Sequence, residues 1–143
     1  MIKKILAPGD DSALVSFALL VLRLWLGVTM FVVHGLDKLN NFNHYASMFP
    51  NPIGIGVKPG LVLVIIAETA GAILLALGLF ARLGALMLAI DMGVAFFLVH
   101  KMAVGMVPNS GELAFIYLAG FVTLFLAGPG KISMDMPIFG KGK

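Results

Sequence analysis

The chain has 143 residues, 60% of them hydrophobic, and carries ten Lys and Arg against seven Asp and Glu, a formal charge of +3, with no cysteine. A mean hydropathy of +1.04, gathered into long runs, excludes a water-soluble globule, and the lack of cysteine excludes disulfides, thiolate metal sites, iron–sulfur clusters and thiol relays built from this chain. The cations stand at the edges of the apolar runs and not on one soluble face, which excludes nucleic acid as a partner.

Lys3 and Lys4 open the chain in the manner of a signal peptide. Pro8, Gly9, Asp10 and Asp11 intervene, however, the apolar run is too long, and no small-x-small cleavage site follows, so we expect the segment to be retained. Four runs approach the roughly 20 apolar residues that a membrane-crossing helix needs: Ala13 to His34, Gly60 to Phe80, Leu83 to Lys101, and the shorter Glu112 to Gly128. The expected architecture is all-α, an integral membrane four-helix bundle in one domain spanning 1–143. Between the first two runs, residues 35–59 carry Asn40, Asn41, Asn43, His44, Tyr45 and then FPNPIGIGVKPG, whose prolines and glycines preclude one continuous helix. This stretch fits an ordered lid and a plain connector equally, with Phe42, Tyr45 and Phe49 as interfacial anchors in either case. The second and third runs are separated by little more than Ala81 and Arg82 and must be antiparallel neighbours.

Sorting the cations by side places Lys3, Lys4, Arg82, Lys131, Lys141 and Lys143 together, with Lys38, Lys58 and Lys101 opposite. The positive-inside bias then puts both termini in the cytoplasm, in a cell (inner or plasma) membrane, with the HGLDK stretch facing outward.

Arg23, Glu68 and Asp91 each fall mid-span, where an ionised side chain costs at least about 2.5–3.5 kcal/mol. Counted from the outer ends of their helices at a rise of about 1.5 Å per residue, they share one depth. The expectation is that they converge, one cation against two carboxyls. Such a pair can serve only to fix which helices pack together. Two features point further. The trio sums to −1, which leaves one carboxyl to be protonated or otherwise balanced. A line of residues on one helical face also runs from Arg23 through Gly27 and Met30 to His34, and polar groups continue to Lys38 and Glu112 at the outer mouth. Arg23, His34, Glu68 and Asp91 are therefore the candidate reacting groups, and Arg23, His34, Lys38 and Glu112 the candidate ligand-binding ones.

Asp91 and His100, nine residues apart, fall about half a turn out of phase. With Asp91 inward, His100 points away as an interfacial histidine, which argues against a haem held between His34 and His100. His44 reads as a loop residue, and no metal site is expected. Ala81, Ala85, Ala89 and Gly93 form a small-residue stripe on the far side of the third run, a face that a redox partner protein or a second copy can approach closely.

HGLDKL after the first run, AETAGAILLALGLFARLGAL through the second and into the third, GELAFIYL opening the fourth and LAGPGKISMD at the close resemble, in order and spacing from Val21 to Asp135, the DoxX family of small four-helix membrane proteins. The family's histidine-glycine-lysine pattern maps onto His34, Gly35 and Lys38, its membrane acid onto Glu68, its helix-terminal arginine onto Arg82 and its acid opening the fourth span onto Glu112. Asp91 has no equally firm counterpart. The resemblance implies electron transfer to quinone, since the family takes its name from a thiosulfate:quinone oxidoreductase subunit and other members are linked to redox-stress complexes. Quinone reduction takes two electrons and two protons, and its carbonyl oxygens need hydrogen-bond donors. The chain has no Rossmann glycine fingerprint, no flavin or nicotinamide motif and no nucleophile for sulfane sulfur, so the electrons must come from a partner or a bound cofactor. The competing readings are a non-catalytic assembly subunit and a small proton-coupled transporter.

Overall fold

A computed structural model of the chain describes residues 12–139, and every described element is helical. Lys3, Lys4, Lys141 and Lys143 of the charge argument, and the Pro8 to Asp11 stretch of the signal-peptide argument, lie outside the described residues. Helix α1 covers Ala13–Asn40, α3 Val57–Leu77 and α4 Ala81–Val99, and these three are long and apolar enough to cross a membrane. A short helix α2, Phe42–Met48, sits between the first two. The apolar helix α5, Glu112–Ala127, packs along α4, and a last turn, α6, spans Asp135–Phe139. Between α1, α3, α4 and α5 lies a core that includes Met30, Leu75, Leu88 and Phe121, each at most 1% exposed. Outward faces are greasy as well: Trp25 is 73% exposed and Leu126 69%, an inversion that suits lipid contact.

Several boundaries differ from those expected. Helix α1 continues six residues past His34, because nothing in GLDKLN breaks it before Asn41. Gly35 lies inside the helix, where a Cβ would fall 2.7 Å from the Glu68 carbonyl oxygen and 2.8 Å from the Thr69 methyl, so the missing side chain is what lets α1 and α3 touch. Helix α3 begins at Val57 and accommodates Pro59 in its first turn, where a proline displaces no intrahelical hydrogen bond. The α3–α4 connection is residues 78–80, with Ala81 and Arg82 already helical.

Each long helix contains one wide π-turn: Met30–Gly35, Ala67–Gly71 and Ala95–Val99. Thr29 and Thr69 offer a cause for the first two. Thr29 Oγ1 donates to the Trp25 carbonyl at 2.7 Å and Thr69 Oγ1 to that of Ile65 at 2.6 Å, competing with the backbone for the carbonyl four residues back. A π-turn inserts one extra residue and rotates everything beyond it by about 100°.

At the end opposite the 35–59 loop, the segment after α5 folds back beneath the bundle. The Asp135 carboxylate accepts from Phe80 N at 2.7 Å and Ala81 N at 2.9 Å, capping the start of α4, while Asp135 N donates to the Gly78 carbonyl at 2.8 Å. Arg82 Nη2 donates to the Leu126 carbonyl at 3.3 Å, placing a cation at the C-terminal end of α5.

The small-residue stripe is largely an internal face. Ala81 and Ala85 are 3% and 0% exposed within the core, Ala89 packs against it, and only Gly93 has open space where a side chain would be. The close approach expected of a partner along Ala81 and Ala85 is made by the chain's own helices.

Candidate functional site

The loop end of the bundle holds a cavity of about 490 Å³. Its walls are mostly apolar, and His34, Lys38, Glu68, Asp91, His100 and Tyr117 reach it from α1, α3, α4, its terminus and α5. Met48 through Ile53 close one side, so the 35–59 segment forms a wall of the cavity and is more than a connector. That volume falls in the ordinary range for small-molecule sites, about 300–1,000 Å³.

The central contact is one that the sequence reading did not find. Lys38 Nζ donates to both oxygens of Glu68, at 2.7 and 2.8 Å, with the two side chains only 15% and 3% exposed. Backbone direction explains the pairing. Side chains on a helix tilt toward its N-terminus. Lys38 on α1 therefore leans down into the bundle, and Glu68 on the antiparallel α3 leans up to meet it. A reading that ends α1 at His34 leaves Lys38 in a loop and hides the pair. The usable signal was Lys38 four residues after His34, one turn further on a helix without a breaker.

The same tilt separates Arg23 from the carboxyls, correcting the expected convergence. The Arg23 side chain leans the opposite way from Glu68, is 0% exposed, and donates through Nη2 to the Ile132 carbonyl at 2.6 Å. It lies against Gly78, ten residues and roughly 15 Å of helix beyond Glu68. Arg23 thus belongs to the opposite end of the bundle, where it holds the chain segment after α5. Its Nε and Nη1 have no partner among the described residues. Glu112 is corrected too. It is exposed and accepts from Gly105 N at 3.3 Å, tying down its own loop, and it does not line the cavity.

Asp91 does reach the cavity, and its Oδ2 is buried with no hydrogen-bond partner among the described residues. His100 lines the same cavity, against the expectation that it points away from Asp91. The π-turn Ala95–Val99 lies between them and removes about 100° of the phase difference. The phase argument against a haem between His34 and His100 falls with it. His34 itself meets Tyr117 edge-on, ring centroids 5.9 Å apart, and Tyr117 stacks on Phe121 at 5.7 Å. Tyr117 and Tyr45 were missed because nothing in their local sequence separates them from packing or interfacial aromatics.

Tyr45 fixes the wall to the site. Its phenol donates to Asp37 Oδ2, Asn41 Nδ2 donates to Asp37 Oδ1 at 2.8 Å, and Lys38 Nζ lies 6.0 Å from the Tyr45 ring centre. Bonding to the Asp37 carboxylate pushes the phenol above the usual tyrosine range. Tyr45→Phe is expected to free α2, with amide hydrogen exchange over residues 42–48 faster by roughly 2- to 10-fold. Exchange unchanged across that helix would show that the bond does not hold the wall.

Comparison with known proteins adds the family. The DoxX family model matches residues 18–101, more than half of the chain. One similar protein from Haemophilus influenzae, described as an uncharacterized protein, is 34% identical over 116 residues, 78% of this chain and 84% of the relative. A second from the same organism, with the same description, is 31% identical over 123 residues, 82% of this chain and 81% of the relative. No solved structure matches significantly. Three long apolar helices, the Lys38–Glu68 contact that ties the HGLDK stretch to α3, and a family match across α1, α3 and α4 lead to one conclusion: the chain is a membrane protein of the DoxX family.

Proposed function

We propose that the protein is the membrane subunit of a redox complex and that the loop-end cavity receives the head of a quinone. The observation that carries this reading is the cavity itself: apolar walls around a small set of ionisable and aromatic groups, His34, Lys38, Glu68, Asp91 and Tyr117, in a bundle that faces lipid. Arg23 has no part in it. The donor set suits such a head group: the imidazole of His34 and the hydroxyl of Tyr117 can approach carbonyl oxygens, and Asp91 brings a carboxyl with one oxygen unpartnered among the described residues. When bound, a quinone supplies two-electron, two-proton chemistry. Lys38 and Glu68 hold the polar wall in place, and the apolar lining limits water around it. The electrons come from a partner protein or a bound cofactor, since the chain has no thiol or nucleotide-cofactor motif of its own. The reading includes α5 as a fourth crossing helix and both termini in the cytoplasm, supported by the bias of Lys and Arg toward that side. The cavity then opens toward the outer face of the membrane.

The test is to purify the protein in mild detergent, extract it, and look for co-purified quinone by mass spectrometry, with titration by a short-tailed ubiquinone analogue. Retention of quinone and saturable binding that weakens at least 10-fold in His34→Leu are the expected results. No retained quinone and no saturable binding would overturn the reading.

A further inference from the structure

The cavity's donors and acceptors are unequally committed. Lys38, the amine donor of the wall, already serves both oxygens of Glu68. Two acceptors are left over. Asp91 has a buried oxygen without a partner among the described residues, and a carboxyl keeps an accepting oxygen whether or not it carries a proton. His100 supplies the other. Its Nδ1 lies 2.8 Å from the Asn109 carbonyl oxygen, which can only accept, so Nδ1 carries the hydrogen, and in that tautomer Nε2 is the acceptor of the ring. The ring is held in that setting because Gly111 allows close approach, with a would-be Cβ only 2.7 Å from His100 Cβ.

Resting on the quinone-site reading, we infer that this cavity prefers the reduced, dihydroxy form of its ligand, an aromatic diol of the hydroquinone class, over the oxidised dione, with Asp91 and His100 as acceptors of its hydroxyl hydrogens. A dione offers only acceptors, so it cannot serve the His100 acceptor and serves Asp91 only where that carboxyl carries a proton, whereas the diol can serve both. The diol supplies the missing hydrogens. Tighter binding of the reduced form also shifts the bound couple toward reduction: a tenfold preference raises its two-electron potential by about 30 mV. The site would then draw electrons from a partner more readily than free quinone does.

The experiment measures the affinities of decylubiquinol and decylubiquinone for the purified protein in detergent, without oxygen, at one pH. Wild type is expected to bind the quinol at least 10-fold more tightly. Asp91→Asn, which replaces an acceptor by a group that also donates to a carbonyl, should shrink or reverse that ratio, and His100→Leu should shrink it independently. Equal or tighter binding of the quinone by wild type, or a ratio unmoved by both variants, overturns the inference and leaves the quinone site standing. Failure of both forms to bind overturns the inference and the quinone site together.

Discussion

Lys38→Met is expected to lower the stability of the protein by about 3–5 kcal/mol, because it leaves the Glu68 carboxylate buried without its cation. Glu68 is 3% exposed on its side chain, and Lys38 is its only hydrogen-bonding partner among the described residues. Glu68→Gln should cost less, since Lys38 is 15% exposed and can turn its ammonium toward the cavity mouth and the Tyr45 ring. The decisive variant is the double one. Lys38→Met with Glu68→Gln removes both charges and should regain most of the loss, giving a coupling energy well beyond the roughly 0.3–0.5 kcal/mol expected of independent sites. Reversible denaturation in detergent reads all three. A single-variant loss below about 1 kcal/mol for Lys38→Met would mean that the pair does not bind α1 to α3.

Gly78→Ala should be as damaging, at the other end of the molecule. Gly78 has φ +69°, and a Cβ there would overlap Arg23 Nη1 and fall 2.7 Å from Ser133 Cβ. The backbone penalty alone is about 1–2 kcal/mol. Displacing Arg23 adds the loss of its hydrogen bond to Ile132, a charged donor in a buried setting worth about 1.5–3 kcal/mol. The local consequence is release of residues 130–135, which lose Arg23 and the Asp135–Gly78 bond together. Limited proteolysis should cut the variant there while wild type resists. Equal resistance and an unchanged unfolding midpoint would show that Arg23 does not depend on this glycine.

The long helices were legible because their evidence is cumulative: a run of about twenty apolar residues needs no exact register to be recognised. Loop-end polar residues were legible for a similar reason, since His34, Lys38, Glu68 and Asp91 stand out in a lipid-facing sequence wherever the helices start and stop. What failed was geometry finer than depth. Arg23 and Glu68 do sit near mid-helix, but a seven-atom arginine side chain on α1 and a glutamate on the antiparallel α3 lean in opposite directions, and counting residues from a helix end ignores that. His100 was turned the wrong way by an ideal 100° rotation per residue carried across Ala95–Val99, where the helix is wider. The small residues of α4 were correctly read as a close-packing face, yet composition does not say whether the neighbour comes from the same chain.

Between the two polar ends lies the layer of Met30, Leu75, Leu88 and Phe121, at most 1% exposed and one from each principal helix. Met30 falls between Arg23 and His34 along α1, Leu75 between Glu68 and Gly78 along α3, and Leu88 between Ala81 and Asp91 along α4. The layer puts apolar side chains between Glu68 and Asp91 at one end and Arg23 at the other, so proton exchange at the two carboxyls is expected from the loop end of the bundle.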